Sequence, residues 1–162
     1  EQLVEEMETR YRLFAQESAT SIDEYVELTG RSMPRLVMVF DEFADFMERE
    51  KNLSSRVESA IGRLGAKARA SGIHLLICTQ SPKADIVPTN IRNNLPARLA
   101  LKAADHHASK IIINEEGAEK LGGKGDFLIR LDMPETVRAK SPFLTPLVKR
   151  ALLKHFENKQ PG

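Results

Sequence analysis

Leu3, Met7, Tyr11 and Phe14 recur at intervals of four, four and three, the spacing that gathers apolar side chains on one face of a helix. The polar stretch Ser18 to Ser21 ends that helix, and a second short one is predicted around Ile22 to Leu28, stopped by Gly30. Met33-Pro34 then opens onto Leu36-Val37-Met38-Val39-Phe40, an unbroken apolar run of strand length. An unbroken run, as opposed to alternation, predicts a strand covered on both faces, as in a parallel sheet. After Asp41 and Glu42 the period changes. Phe43, Phe46 and Met47 predict a short helix, and Val57, Ile61, Leu64 and Ala68, at i, i+4, i+7 and i+11, a longer one. Ser54 or Ser55 is placed to cap it, with Glu58 at capping-box spacing from Ser55, and Gly72 closes it.

Ile73 to Cys78 reads as a second buried strand and Leu99 to Leu101 as the core of a third. Between them, Thr79 to Pro96 holds three prolines and three asparagines, a long functional loop with one helical turn. A helix is predicted over Asp105 to Ile113. Gly122-Gly123-Lys124-Gly125 turns into a fourth strand, Asp126 to Leu131, and Leu144 to Phe156 forms a last helix before a frayed tail, Asn158 to Gly162. There is no internal repeat. The alternation of strand and helix predicts an α/β fold with a mainly parallel sheet flanked by helices.

Composition narrows the function classes. The 162 residues suit one domain, and 24 basic against 23 acidic side chains exclude a polybasic DNA-coating protein while leaving room for a local basic surface. Cys78, the one cysteine, makes neither an internal disulfide nor a zinc knuckle. Every apolar run is shorter than ten residues, too short to span a membrane. The chain opens on Glu1-Gln2-Leu3 without an initiator Met, and reads as a piece of a larger cytoplasmic protein.

The sharpest chemical signal is the strand that ends in Asp41-Glu42. It delivers two carboxylates to the C-terminal edge of a sheet, where α/β folds bind ligands. In a nucleotide hydrolase the first acid can hold the Mg²⁺ shell and the second can polarise the attacking water. The same pair would equally complement the dipole of a following helix. The second strand ends in Thr79-Gln80, and a parallel neighbour would set Gln80 beside Glu42; the alternative is a simple polar turn. Arg56, Arg63 and Lys67 read as a solvated helix face, whereas Arg69 sits just before the second strand, where a guanidinium could reach across a subunit boundary; taken singly, each basic residue named here reads first as structural. Arg92, Arg98 and Lys102, in or near the long loop, are candidates for phosphate contacts. His106 and His107 diverge by about 100° on a helix, poor geometry for a shared metal.

Several of these strings resemble one family. They include Val39-Phe40-Asp41-Glu42-Phe43-Ala44-Asp45-Phe46-Met47, Ala68-Arg69-Ala70-Ser71-Gly72-Ile73-His74-Leu75 and Thr79-Gln80-Ser81-Pro82. Further along come Ile91-Arg92-Asn93-Asn94-Leu95-Pro96-Ala97-Arg98, Gly117-Ala118-Glu119-Lys120-Leu121 and Gly123-Lys124-Gly125-Asp126. In this order they resemble the motor domain of the FtsK/SpoIIIE-type DNA translocases, as does Glu6-Met7-Glu8-Thr9-Arg10-Tyr11 ahead of them. The resemblance implies a RecA-like P-loop ATPase core that uses ATP and Mg²⁺ and assembles as a ring, usually hexameric, around double-stranded DNA. It implies Walker B roles for Asp41 and Glu42, a γ-phosphate sensor at Gln80 beside Thr79, and an arginine finger to the neighbouring protomer at Arg69, with Arg98 as second candidate. Residues 1–32 would be a helical lead-in, 33–143 the core and 144–162 a C-terminal helix and tail.

The chain also departs from the pattern. No Gly-x-x-x-x-Gly-Lys-Ser/Thr is present, so the phosphate cradle would come from an upstream segment of the same protein, and these residues alone would not hydrolyse ATP. Ala108-Ser109-Lys110 stands where many relatives carry Asp-Ser-Arg, and Gln80-Ser81-Pro82 where Gln-Arg-Pro is usual. Related engines for protein secretion, conjugation or DNA restriction share these features, and a non-catalytic interaction domain would keep the fold. Membrane anchoring of the parent is left open.

Overall fold

A computed structural model describes residues 1–83, 87–131 and 135–157. The predicted frayed tail, Asn158 to Gly162, lies outside the described residues, as do residues 84–86 of the long loop. The chain divides into two compact units, Glu1–Pro96 and Ala97–Gly162.

The first unit begins with two helices, α1 (Gln2–Gln16) and α2 (Ile22–Thr29). Ser21 caps α2 by accepting the Glu24 N–H, and Gly30 ends it in the left-handed region that lacks a Cβ penalty. Strand β1 (Leu36–Phe40) leads into α3 (Phe43–Arg49) and α4 (Lys51–Lys67), then β2 (Ile73–Ile77) and the short α5 (Thr89–Asn94). The two strands pair in parallel, Leu36 opposite Ile73 through Phe40 opposite Ile77. Val4 and Met7 of α1 meet Leu64 of α4, its C-cap Ala68 and Ile73 of β2 in one core cluster. Phe43, Ala44 and Met47 of α3 meet Ile61 and Ile91 in another, with Phe40 stacked edge-on against Phe43 at 5.2 Å. A third joins Phe14 to Ala19, Ile22 and Tyr25.

Two local expectations change here. Burial alternates along both strands: Leu36, Met38 and Phe40 turn inward, while Val37 and Val39 are 67% and 58% exposed. Among the described residues of the first unit the pair is therefore covered on one face, by α1, α3 and α4, although the unbroken apolar run predicted cover on both. Helix α4 also starts at Lys51, with neither Ser54 nor Ser55 as its cap; the Ser54 hydroxyl instead donates back to the Lys51 carbonyl.

The second unit overturns the mainly parallel sheet, and with it the expectation of a RecA-like P-loop core in this chain. Its strands β3 (Arg98–Ala100), β4 (Asp126–Arg130) and β5 (Thr136–Lys140) form an antiparallel sheet in that order, larger than the parallel pair. For β4 and β5 the reason is connectivity. Only residues 131–135 separate β4 from β5, too few for the crossover that parallel strands require. Strand β5, Thr-Val-Arg-Ala-Lys, was not predicted, because an edge strand with two apolar residues carries little hydrophobic signal. Helix α6 (His106–Ile113), capped by the Asp105 carboxylate on the Ala108 N–H, and a 3₁₀ turn at Ala118–Lys120 supply the core, where Ala100, Ile113, Ala118 and Leu121 meet. Helix α7 (Pro146–Glu157) ends the described chain.

Asp126 ties the start of β4 together. Its carboxylate takes two bonds from the Arg138 guanidinium, at 3.0 and 2.7 Å, and one from the Gly122 N–H at 2.7 Å. These donors, the arginine foremost, pull its pKa from 3.8 down to about 2.

Candidate functional site

The site is built at the C-terminal ends of β1 and β2. Because the strands run parallel in even register, their ends lie level, and the ladder continues one step beyond them. The Cys78 N–H donates to the Phe40 carbonyl at 2.8 Å and the Phe43 N–H to the Cys78 carbonyl at 3.0 Å. Asp41-Glu42 and Thr79-Gln80 are thereby neighbours, and the Gln80 side-chain amide donates to Glu42 Oε1. Both carboxylates are exposed.

Glu42 has φ +51° and ψ +45°, the left-handed region, an unfavourable place for a residue with a Cβ. Such a conformation costs roughly 1–2 kcal/mol and persists where surrounding contacts over-determine it. Here the Glu42 N–H is taken by Asp41 Oδ1 at 3.0 Å and its carbonyl by the Phe46 N–H. The next residue, Phe43, is fully buried. The chain must turn sharply from strand to helix to bury Phe43, and Glu42 absorbs the turn. The result aims a carboxylate off the sheet edge and holds it against an amide.

Among the described residues no group of three or more His, Cys, Asp or Glu side chains converges as metal ligands. The donors at the sheet edge suit an ion that keeps several waters and takes one or two carboxylates, completing its shell with phosphate oxygens, as Mg²⁺ does. Asp41 and Glu42 are the residues that fit this description. The Thr79 hydroxyl accepts the Ser81 N–H at 3.2 Å, which bends the chain away after Gln80.

Arg69 and Arg92 stand elsewhere in the same unit. Arg69 is exposed in the turn between α4 and β2, at the N-terminal end of β2. The five residues of β2, roughly 16 Å at about 3.3 Å each, separate it from Gln80. Arg92, half-buried on α5, donates to the Thr89 hydroxyl at 3.0 Å. In the second unit, Arg98 opens β3 and donates to Asn114 Oδ1 at 2.8 Å, while Lys102 is exposed just beyond that strand.

Residues 1–84 match the profile of the FtsK/SpoIIIE family. The chain belongs to that family. It is 39% identical to the DNA translocase SftA of Bacillus subtilis (strain 168) across 98% of this chain and 17% of that protein. It is 42% identical to a DNA translocase FtsK of Campylobacter jejuni across 87% of this chain and 15% of that one. It thus spans about a sixth of the length of these curated relatives. Among solved structures it superposes on the pCW3 conjugation coupling protein TcpA, determined with ATPγS, at a TM-score of 0.81 and 29% identity, covering 95% of this chain and 46% of that one. The cytoplasmic domain of the type VII secretion ATPase EccC from Thermomonospora curvata shares the fold at a TM-score of 0.73 and 19% identity, over 91% of this chain and 19% of that one.

Arg10 stands in one of the family-like strings, but the sequence alone assigns it no role of its own. It is 2% exposed, on the inner face of α1. Its position three residues after Met7, within the apolar stripe, was the available signal; a charged residue there must be paired if it is buried.

Proposed function

We propose that this chain is part of an ATP-driven motor that assembles as a ring, hexameric like the rings its resemblance implies, and moves duplex DNA. The observation that carries this reading is the Gln80 amide on the Glu42 carboxylate, at the level ends of two parallel strands. A carboxylate beside an exposed acid and an exposed amide suits the polarisation of a water against a phosphoryl group. Asp41 would hold Mg²⁺ through water, Glu42 would accept the proton-bearing edge of the attacking water, and Gln80 with Thr79 would contact the terminal phosphate of ATP. Bound Mg²⁺ neutralises charge on the phosphates. The upstream P-loop segment of the same protein would supply the phosphate cradle, so this segment alone would show no turnover.

Arg69 stands at the opposite end of β2 from Gln80 of its own copy, which favours action on a neighbouring copy's nucleotide; Arg98 is the second candidate for that task. Arg92 and Lys102 would contact DNA phosphates, in a motor working on the cytoplasmic side. Support comes from the relatives described as DNA translocases. The likeness to a conjugation coupling protein keeps a second reading, a coupling or secretion engine, in play.

The test is ATP hydrolysis by the full-length parent with and without long duplex DNA. We expect strong stimulation that falls steeply between about 50 and 200 mM salt as condensed counterions return to the DNA. Robust hydrolysis indifferent to DNA would move the assignment to the second reading, and no hydrolysis at all would sink both.

A further inference from the structure

The motif Glu6-Met7-Glu8-Thr9-Arg10-Tyr11 has no part in the chemistry above, yet two of its residues, Arg10 and Tyr11, reach the turn that carries Arg69. In residues 67–71 every backbone carbonyl accepts a hydrogen bond. The Tyr11 hydroxyl donates to the Lys67 carbonyl at 2.8 Å, and the Ser71 hydroxyl and the Ile73 N–H both donate to that of Ala68. The Gly72 N–H donates to the Arg69 carbonyl at 3.0 Å and the Ile22 N–H to the Ala70 carbonyl at 2.8 Å. Arg10 Nη1 closes the series on the Ser71 carbonyl at 2.9 Å.

The same Nη1 donates to the Pro34 carbonyl at 2.8 Å, two residues before β1, and Nε pairs with Glu6 at 2.7 Å. Ser71 is fully buried, and Gly72, at φ +74°, leaves no room for a side chain: a Cβ would lie 2.5 Å from Ile22 Cδ1. Arg69 alone among residues 68–73 is exposed.

A buried guanidinium is a costly way to hold two loops together, since an apolar side chain of similar volume often stabilises as well. What the planar fork adds is direction: it fixes two carbonyls relative to one helix, where apolar packing would let them slide. A side chain that must meet a partner benefits from that, because a displacement of about 1 Å can cost 100-fold in rate.

We propose that Arg10, assisted by Tyr11, is a positioning residue for Arg69: the α1 clamp holds residues 67–72 in one shape so that Arg69 is presented rigidly to a second copy of this chain. The proposal rests on the reading of Arg69 as a group that acts on a neighbouring copy's nucleotide.

The test uses the full-length parent and subunit mixing. Arg10→Met should lower kcat roughly 10- to 100-fold while KM for ATP stays within about twofold, because its own nucleotide site is intact and only transition-state contact is lost. Arg10→Lys, which keeps the charge and loses the fork, should restore little. Rings mixed from Arg10→Met and Glu42→Gln protomers should turn over faster than either variant alone, since each supplies what the other lacks. Arg69→Ala mixed with Glu42→Gln is the control.

Recovery in the control without recovery for Arg10→Met would overturn the clamp and leave the reading of Arg69 standing. No recovery in the control would overturn that reading and the clamp with it. If Arg10→Met fails to assemble, Tyr11→Phe carries the test: it removes one hydroxyl, and we expect a chain that still folds and assembles, with kcat reduced roughly fivefold. An unchanged kcat there would overturn the proposal.

Discussion

Gly62 and Gly65 lie one turn apart inside α4, and replacing each by alanine should move stability in opposite directions. Helix propensity treats them alike: alanine in place of glycine in a helix interior is favoured by about 1 kcal/mol. The surroundings differ. A Cβ on Gly62 would meet only Asn94 Nδ2 at 3.8 Å, ordinary van der Waals contact. A Cβ on Gly65 would fall 2.8 Å from both Asn94 Cβ and the Asn94 carbonyl oxygen, so α5 would have to retreat from α4. Overpacking of this kind costs roughly 1–3 kcal/mol, and the displaced atom is backbone, which yields less readily than a side-chain end.

Gly62→Ala should therefore gain up to about 1 kcal/mol. Gly65→Ala should come out at a net loss of about 1–2 kcal/mol once the propensity gain is set against the clash. Urea unfolding of the 162-residue chain, followed by far-UV circular dichroism, reads both as shifts in midpoint at constant slope. A Gly65→Ala protein as stable as the parent would refute the close approach of α5 and the packing of Ile91 that goes with it.

Three further outcomes are expected. In the full-length parent, Glu42→Gln should abolish turnover while ATP binding, read by equilibrium titration, survives; unchanged hydrolysis would remove Glu42 from the mechanism. Glu42→Gly should be more stable than Glu42→Ala by roughly 1 kcal/mol, the reverse of the order inside a helix, because both lose the Gln80 contact and only glycine is relieved of the left-handed strain; urea midpoints of the two variants decide it. Asp126, held at a pKa of about 2 by Arg138 and Gly122 against 3.8 unperturbed, favours the fold when ionised. Its contribution is complete above about pH 4 and is lost as pH falls through about 2, so the stability gap between the parent and Asp126→Asn should close across that window. A gap that does not change with pH would mean the ion pair contributes nothing.

Local pattern carried much of this protein. The helical stripe of Leu3, Met7, Tyr11 and Phe14, the two apolar strands and the polar residues that end them were legible because side-chain periodicity and strand termini are properties of consecutive residues. The Asp41-Glu42 and Thr79-Gln80 pairs, and the strings around them, sufficed for the family. Tertiary structure decided the rest, for reasons that no local window contains. Strand direction depends on more than the pattern of elements, which in this alternation reads as parallel. The short return from β4 forces β5 to run antiparallel, and β3 pairs antiparallel with β4 although a helix lies between them. Glu42 takes its left-handed turn because Phe43 must reach the core, and Gly65 matters because Asn94 arrives there from far along the chain. Arg10 is polar in any sequence scale; only the fold brings the carbonyls of Pro34 and Ser71 to it, and those carbonyls together with the Glu6 carboxylate make its burial tolerable.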